Sequence, residues 1–127
     1  MRVRSADIGH LHGLYDDDAR CITLHVCLTD YQKRSTLAHE ISHATWRDRP
    51  TRDRHEHERR ERRADADAAR TLIHPVDYAR AEALVGSDPG ALAVELDVSK
   101  WVILAWQREA RHGRAWTRAQ ETDAERR

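Results

Sequence analysis

Ser35-Thr36-Leu37-Ala38-His39-Glu40-Ile41-Ser42-His43-Ala44 reads as helix and carries an HExxH pattern at its centre. Positions four apart share one helical face, so His39 and His43 can aim both imidazoles at one point. Glu40 turns toward the same cleft. Two imidazoles and an adjacent carboxylate are the ligand pair and general base of metal-dependent peptide hydrolysis. Leu37, Ala38, Ile41 and Ala44 supply the apolar face of this helix. Thr29 and Gln32 have the spacing of a capping box, with Leu28 as the outer half of a hydrophobic staple. The residue before a proline avoids helical geometry, so the helix should run from about Thr29 to Trp46 and end before Pro50.

Upstream, Ile22, Leu24, Val26 and Leu28 alternate with Cys21, Thr23, His25 and Cys27, the period of a half-buried strand over 20–28. Asp16-Asp17-Asp18 reads as a turn out of a short strand at 10–15, and residues 1–9 carry no strong signal. These elements predict a small antiparallel sheet. Downstream, residues 47–60 form a charge-dense connection into a second helix. Its continuation, 61–73, places Ala64, Ala68 and Leu72 at helical spacing before Pro75. A helix over 76–85 should close at Gly86. Asp88-Pro89 starts another, with Leu92, Ala93 and Leu96 apolar. Ser99 caps a last one containing Val102, Ile103, Leu104 and Trp106. The fold class is therefore α+β, one domain over 1–113, with 114–127 a flexible tail lacking apolar periodicity.

Composition removes several functions. The chain has 127 residues with 22 basic and 22 acidic side chains, so no net field draws it to nucleic acid or membrane. Its N-terminus lacks an apolar signal region, and no apolar run approaches the roughly 20 residues of a membrane span. Cys21 and Cys27 sit in one expected strand, about 20 Å apart, too far for a disulfide. Free thiols and a cytoplasmic location are the expectation.

An HExxH in a chain with nine His can arise by chance, and two ligands do not make a catalytic zinc site. Glu61, eighteen residues beyond His43, is a candidate third ligand on the next long helix. Asp65 lies one turn later on the same face, where a carboxylate can hold the free N–H of a metal-bound His. His55 and His57 compete with Glu61 as third ligand, although a solvated charged stretch explains them more simply. His55, His57, His74 and Tyr78 are candidates for stabilising an oxyanion.

The two segments STLAHEISHA and ERRADADAARTLIHP together resemble the ImmA/IrrE family of gluzincin-type metallopeptidases, over about residues 10–110. That resemblance implies a zincin-like helical core behind the sheet. It implies His39, His43 and Glu61 as zinc ligands, Glu40 as general base and Asp65 as the carboxylate supporting a ligand. It also implies a site-specific regulatory peptidase whose substrate is a helix-turn-helix repressor of a phage, mobile element or stress response.

The rival is a non-catalytic regulator on the same scaffold, binding DNA or a repressor; a purely structural zinc module is a further one. Residues 91–112 have the outline of a helix-turn-helix, but the second helix opens Ser99-Lys100-Trp101-Val102-Ile103, too apolar to line a major groove. A structural hairpin packed on the catalytic helices is the expectation, with direct DNA binding disfavoured. His10, His12 and His25 are expected on strand or surface. Trp46 is a candidate for the cleft wall, and the Arg-rich stretch 47–63 for a solvated face.

Overall fold

A computed structural model describes residues 1–112; the expected tail, 114–127, lies outside the described residues. Three strands, β1 (Arg2–Ala6), β2 (Gly13–Asp16) and β3 (Cys21–His25), precede five helices. These are α1 (Asp30–Thr45), α2 (Arg54–Leu72), α3 (Pro75–Val85), α4 (Pro89–Leu96) and α5 (Lys100–His112). The class is α+β, as expected.

The sheet is mixed, in the order β1-β3-β2. β2 pairs antiparallel with β3, Tyr15 opposite Ile22. β1, which had no sequence signal, adds parallel to the other edge, Val3 opposite Ile22. The correction has a physical reason: β1 is almost wholly exposed, so pairing specifies it and no apolar alternation marks it. As the central strand, β3 buries Cys21 and Thr23 as well as Ile22 and Leu24. Val26, expected to face inward, lies beyond the strand end and is exposed. Cys21 is buried and Cys27 exposed, both as free thiols.

α1 starts where its caps predict: the Gln32 side chain accepts from the Thr29 backbone N–H at 3.0 Å. The helix buries two flanks, one on the sheet through Leu37 and Ala44, and one on α2 through Ser42, whose hydroxyl donates to Asp67 at 2.7 Å. Ile41 falls on the remaining stripe and is 41% exposed, contrary to the expected core position. α2 begins seven residues before the expected continuation, because Asp53 caps it by accepting from the His55 and Glu56 N–H groups. Glu61 therefore sits mid-helix.

α3 closes at Gly86 with φ 83°, the left-handed conformation that favours glycine. Asp88 caps α4 by accepting from the Ala91 N–H. α4 packs on α5, and Leu92, Val102, Ile103 and Trp106 join Ala69 and Ile73 of the α2 end in one apolar cluster. Leu104 points outward, 47% exposed. No helix among the described residues is long and apolar enough to cross a membrane.

Candidate active site

His39, Glu40 and His43 face the seam between α1, α2 and β2, half-buried to buried. The two imidazole Nε2 atoms stand 3.2 Å apart. Glu61 reaches both from α2, with Oε2 at 2.9 Å from His39 Nε2 and Oε1 at 3.1 Å from His43 Nε2. Glu40 offers its carboxylate within 4.8 Å of both imidazole donors. Asp65, one turn beyond Glu61, lies 2.8 Å from His39 Nδ1. The structure thus brings together all five residues singled out from sequence.

A carboxylate accepts and does not donate, so the His39 Nδ1–H donates to Asp65 and leaves Nε2 toward the gap. The same holds for His43, whose Nδ1 donates to Asp48 Oδ2 at 2.8 Å. Neutral imidazoles in that tautomer point two lone pairs at each other and at a carboxylate. Such a cluster needs a positive charge between its members, a proton or a metal ion. Two donors about 2.0–2.1 Å from a tetrahedral zinc would lie about 3.3–3.4 Å apart. The observed separations are 3.2, 2.9 and 3.1 Å. The residues fit a divalent cation.

Electrostatics favour a positive charge at the same point. Burial opposes a charge on His39, but hydrogen bonds to Asp65 and Glu61, with the Glu61 and Glu40 charges, override it and raise its pKa to about 10. His43 is raised too: burial again opposes, and hydrogen bonds to Glu61 and Asp48 prevail. Those two imidazoles hold Glu61 well below the usual carboxylate range. Glu40 moves the other way, pushed up by burial against the pull of His39 and His43. A carboxyl raised by burial in a cleft is suited to taking up a proton.

An open cleft of about 430 Å³ lies over these groups, with Leu11, His12 and Gly13 on one side and Trp101 on the other. Gly13 permits the close approach of β2, since a Cβ there would stand 2.6 Å from the Thr36 methyl and 3.2 Å from Glu40 Cγ. Trp101 packs edge-on against the His39 ring, centroids 5.6 Å apart. The Ser99 N–H donates to buried Ser35 Oγ at 3.0 Å. The start of α5 is therefore part of the cleft wall.

With this geometry in place, the comparison with known sequences is decisive: the profile of the IrrE N-terminal-like domain family, peptidase M78, matches residues 1–105. The chain belongs to this family. No curated protein matches it. Membership of the M78 peptidases supports a metallopeptidase-type function and implies a metal.

The other sequence candidates separate clearly on this M78 scaffold. Of the four residues considered for an oxyanion, His57 lines the cleft, one helical turn before Glu61. His55 is exposed at the start of α2. His74 caps α3, its Nδ1 accepting from the Val76 N–H at 3.1 Å. Tyr78 stacks on Trp106 and accepts from Gln107. His12 reaches the cleft, whereas His25 lies 3.5 Å from Asp7. Trp46 is 58% exposed, under the Arg63 guanidinium at 4.7 Å.

Asp48 was missed by reading the sequence. Its signal was an acidic residue just past the end of α1, hidden in the charged run Arg47-Asp48-Arg49.

Proposed function

We propose that the chain is a zinc-dependent endopeptidase, with His39, His43 and Glu61 as the metal ligands and Glu40 as the general base. The observation that carries this reading is the convergence of both Nε2 atoms on the two oxygens of Glu61. An ion bound there supplies Lewis acidity toward a water and the scissile carbonyl. Glu40 takes the water's proton and returns it to the departing amine nitrogen. Its buried position, with a raised pKa, equips it to hold that proton between the two transfers. Asp65 holds the His39 Nδ1–H and fixes that imidazole's tautomer. The open cleft beside Trp101 gives an extended peptide access to the base.

The substrate we infer is a helix-turn-helix repressor, on the resemblance to ImmA/IrrE proteins, with the reaction placed in the cytoplasm. The α4–α5 hairpin serves as cleft wall in this reading, since Trp101 at the start of its second helix is packed on His39. The rival regulator that binds DNA or a repressor without cutting makes a different prediction for Glu40→Gln. A peptidase variant of this kind retains zinc and loses cleavage of a co-expressed repressor from the neighbouring locus; wild type with chelator loses both. Unchanged regulation by Glu40→Gln would sink the peptidase reading. Metal analysis of Glu61→Ala beside His57→Ala tests the third ligand: loss of zinc is expected from the first and retention from the second.

A further inference from the structure

We propose that Asp48, braced by Arg60 and Arg63, is a positioning residue that holds His43 in its metal-binding tautomer; the inference rests on the zinc reading above. Nothing in the HExxH motif supplies a partner for the outer nitrogen of the second His. Here the end of α1 supplies it. The Arg47 N–H donates to the Ala44 carbonyl at 3.2 Å and the Asp48 N–H to the His43 carbonyl at 2.9 Å, with Arg47 left-handed at φ 55°. Those are the two reversed bonds of a Schellman motif, and they bring the second residue past the cap back over the third residue before it.

That pair of positions ordinarily meets through an apolar contact. In this chain it is Asp48 on His43, joined by the backbone bond and by Nδ1 to Oδ2 at 2.8 Å. The Asp48 side chain is only 11% exposed, so its carboxylate needs further partners. Arg63 donates to the oxygen that faces His43, and Arg60 Nε lies 3.6 Å from the other. Both arginines come from α2, either side of Glu61. One carboxylate therefore ties the second imidazole to the helix segment that carries the third donor.

The two imidazoles are consequently supported in different ways. Asp65 reaches His39 from within α2, one turn from Glu61, and is itself about a third exposed. Asp48 reaches His43 from the end of α1 itself and crosses to α2 through arginine. An ionised carboxylate on Nδ1 fixes the proton there and leaves the Nε2 lone pair for the metal.

The test is zinc affinity by competition with a chromophoric chelator, on full-length wild type, Asp48→Ala and Asp48→Asn, with Glu61→Ala as control. Loss of such a partner weakens metal binding by about 10–100-fold, and Asp48→Ala is expected in that range. The amide oxygen of Asp48→Asn still accepts from Nδ1–H and from Arg63 but carries no charge, and its amide NH2 replaces the oxygen that faced Arg60. It should therefore regain most of the affinity while melting, metal-free, below wild type. Long-range proton–nitrogen correlation spectra of the zinc-loaded chain should place the His43 proton on Nδ1. Wild-type affinity in Asp48→Ala, or equal weakness in the Asn and Ala variants, overturns the positioning role while leaving the zinc reading intact. Absence of zinc binding in wild type and Glu61→Ala alike overturns both.

Discussion

Around α5 the buried side chains are Val102, Ile103, Ala105 and Trp106, whereas α1 buries Ser35, Thr36, Glu40, Ser42 and His43 beside Ala38 and Ala44. α5 is held by apolar contact; α1 adds hydrogen bonds and close approach of backbone to a smaller apolar contact with the sheet. Burying an aliphatic side chain of this size is worth about 1.5–3 kcal/mol, and the helical hairpin gathers several such residues in one cluster. The sheet side has fewer, with Ile22, Leu24, Leu28 and Ala44 as its buried apolar set. Apolar burial is concentrated in the half that does little chemistry, and it supports the half that holds charged groups at an open cleft.

The largest test of that contrast is Ile103→Ala, a fully buried position in the apolar cluster. Removal of three carbons there should cost about 2–5 kcal/mol, read as a lower denaturation midpoint. The folded fraction should still bind zinc stoichiometrically, because no group near His39 or His43 has changed. A loss of metal affinity larger than the loss of folded protein would show the two halves to be coupled.

Gly13→Ala probes the other half. Its Cβ would meet the Thr36 methyl at 2.6 Å, and overpacking of this sort costs about 1–3 kcal/mol. Here the effect should fall on cleavage as well as stability, since Glu40 Cγ is the next contact. Thr36→Ser removes the clashing methyl, so the double variant should recover both. Failure to recover would mean that β2, and not the methyl, is the obstacle.

The same contrast governs what could be read in advance. HEISH, the capping box at Thr29 and Gln32, Gly86 and Asp88 are local signals, and each stands where its chemistry puts it. Glu61 and Asp65 were legible because one turn of helix separates them and a ligand with its support needs that register. β1 left no trace because an exposed strand is specified by its neighbour. The start of α2 was hidden for a related reason: Asp53 and Glu56 mark it, but no apolar face does. Asp48 escaped because a left-handed Arg47 replaces the glycine that usually announces a Schellman turn.

Asp17 gives a smaller, pH-dependent effect on the polar half. It is buried, 7% exposed, and bonded by Arg47 Nε at 2.6 Å and by Tyr15, which together lower its pKa from 3.8 to about 2. A carboxylate depressed on folding stabilises the folded state above its unfolded pKa, and the contribution is lost as pH falls through the folded one. Wild type should therefore exceed Asp17→Asn in melting temperature at neutral pH, with the gap narrowing from about pH 4 to pH 2. A gap that stays constant across that window would remove the ion pairs with Arg47 and with Arg49, whose Nη1 lies 3.3 Å from Asp17 Oδ2, from the account. No corresponding window is expected of variants in the apolar cluster, whose buried members include no carboxylate.

The smallest effect belongs to Ile41, between His39 and His43 in sequence and an apolar residue by its chemistry. A helix that uses one flank for the sheet, one for α2 and the arc between them for His39 and His43 has only the opposite stripe left for solvent. Ile41 occupies that stripe, 41% exposed, with Thr45 one turn on donating to the Ile41 carbonyl at 2.8 Å. Ile41→Ala should change stability by no more than about 0.5 kcal/mol, the usual scale for surface positions, and leave zinc affinity unaltered. A cost of the size expected for Ile103→Ala would instead mean that α1 turns its apolar face inward, and the seam between His39, His43 and Glu61 could not then have its present geometry.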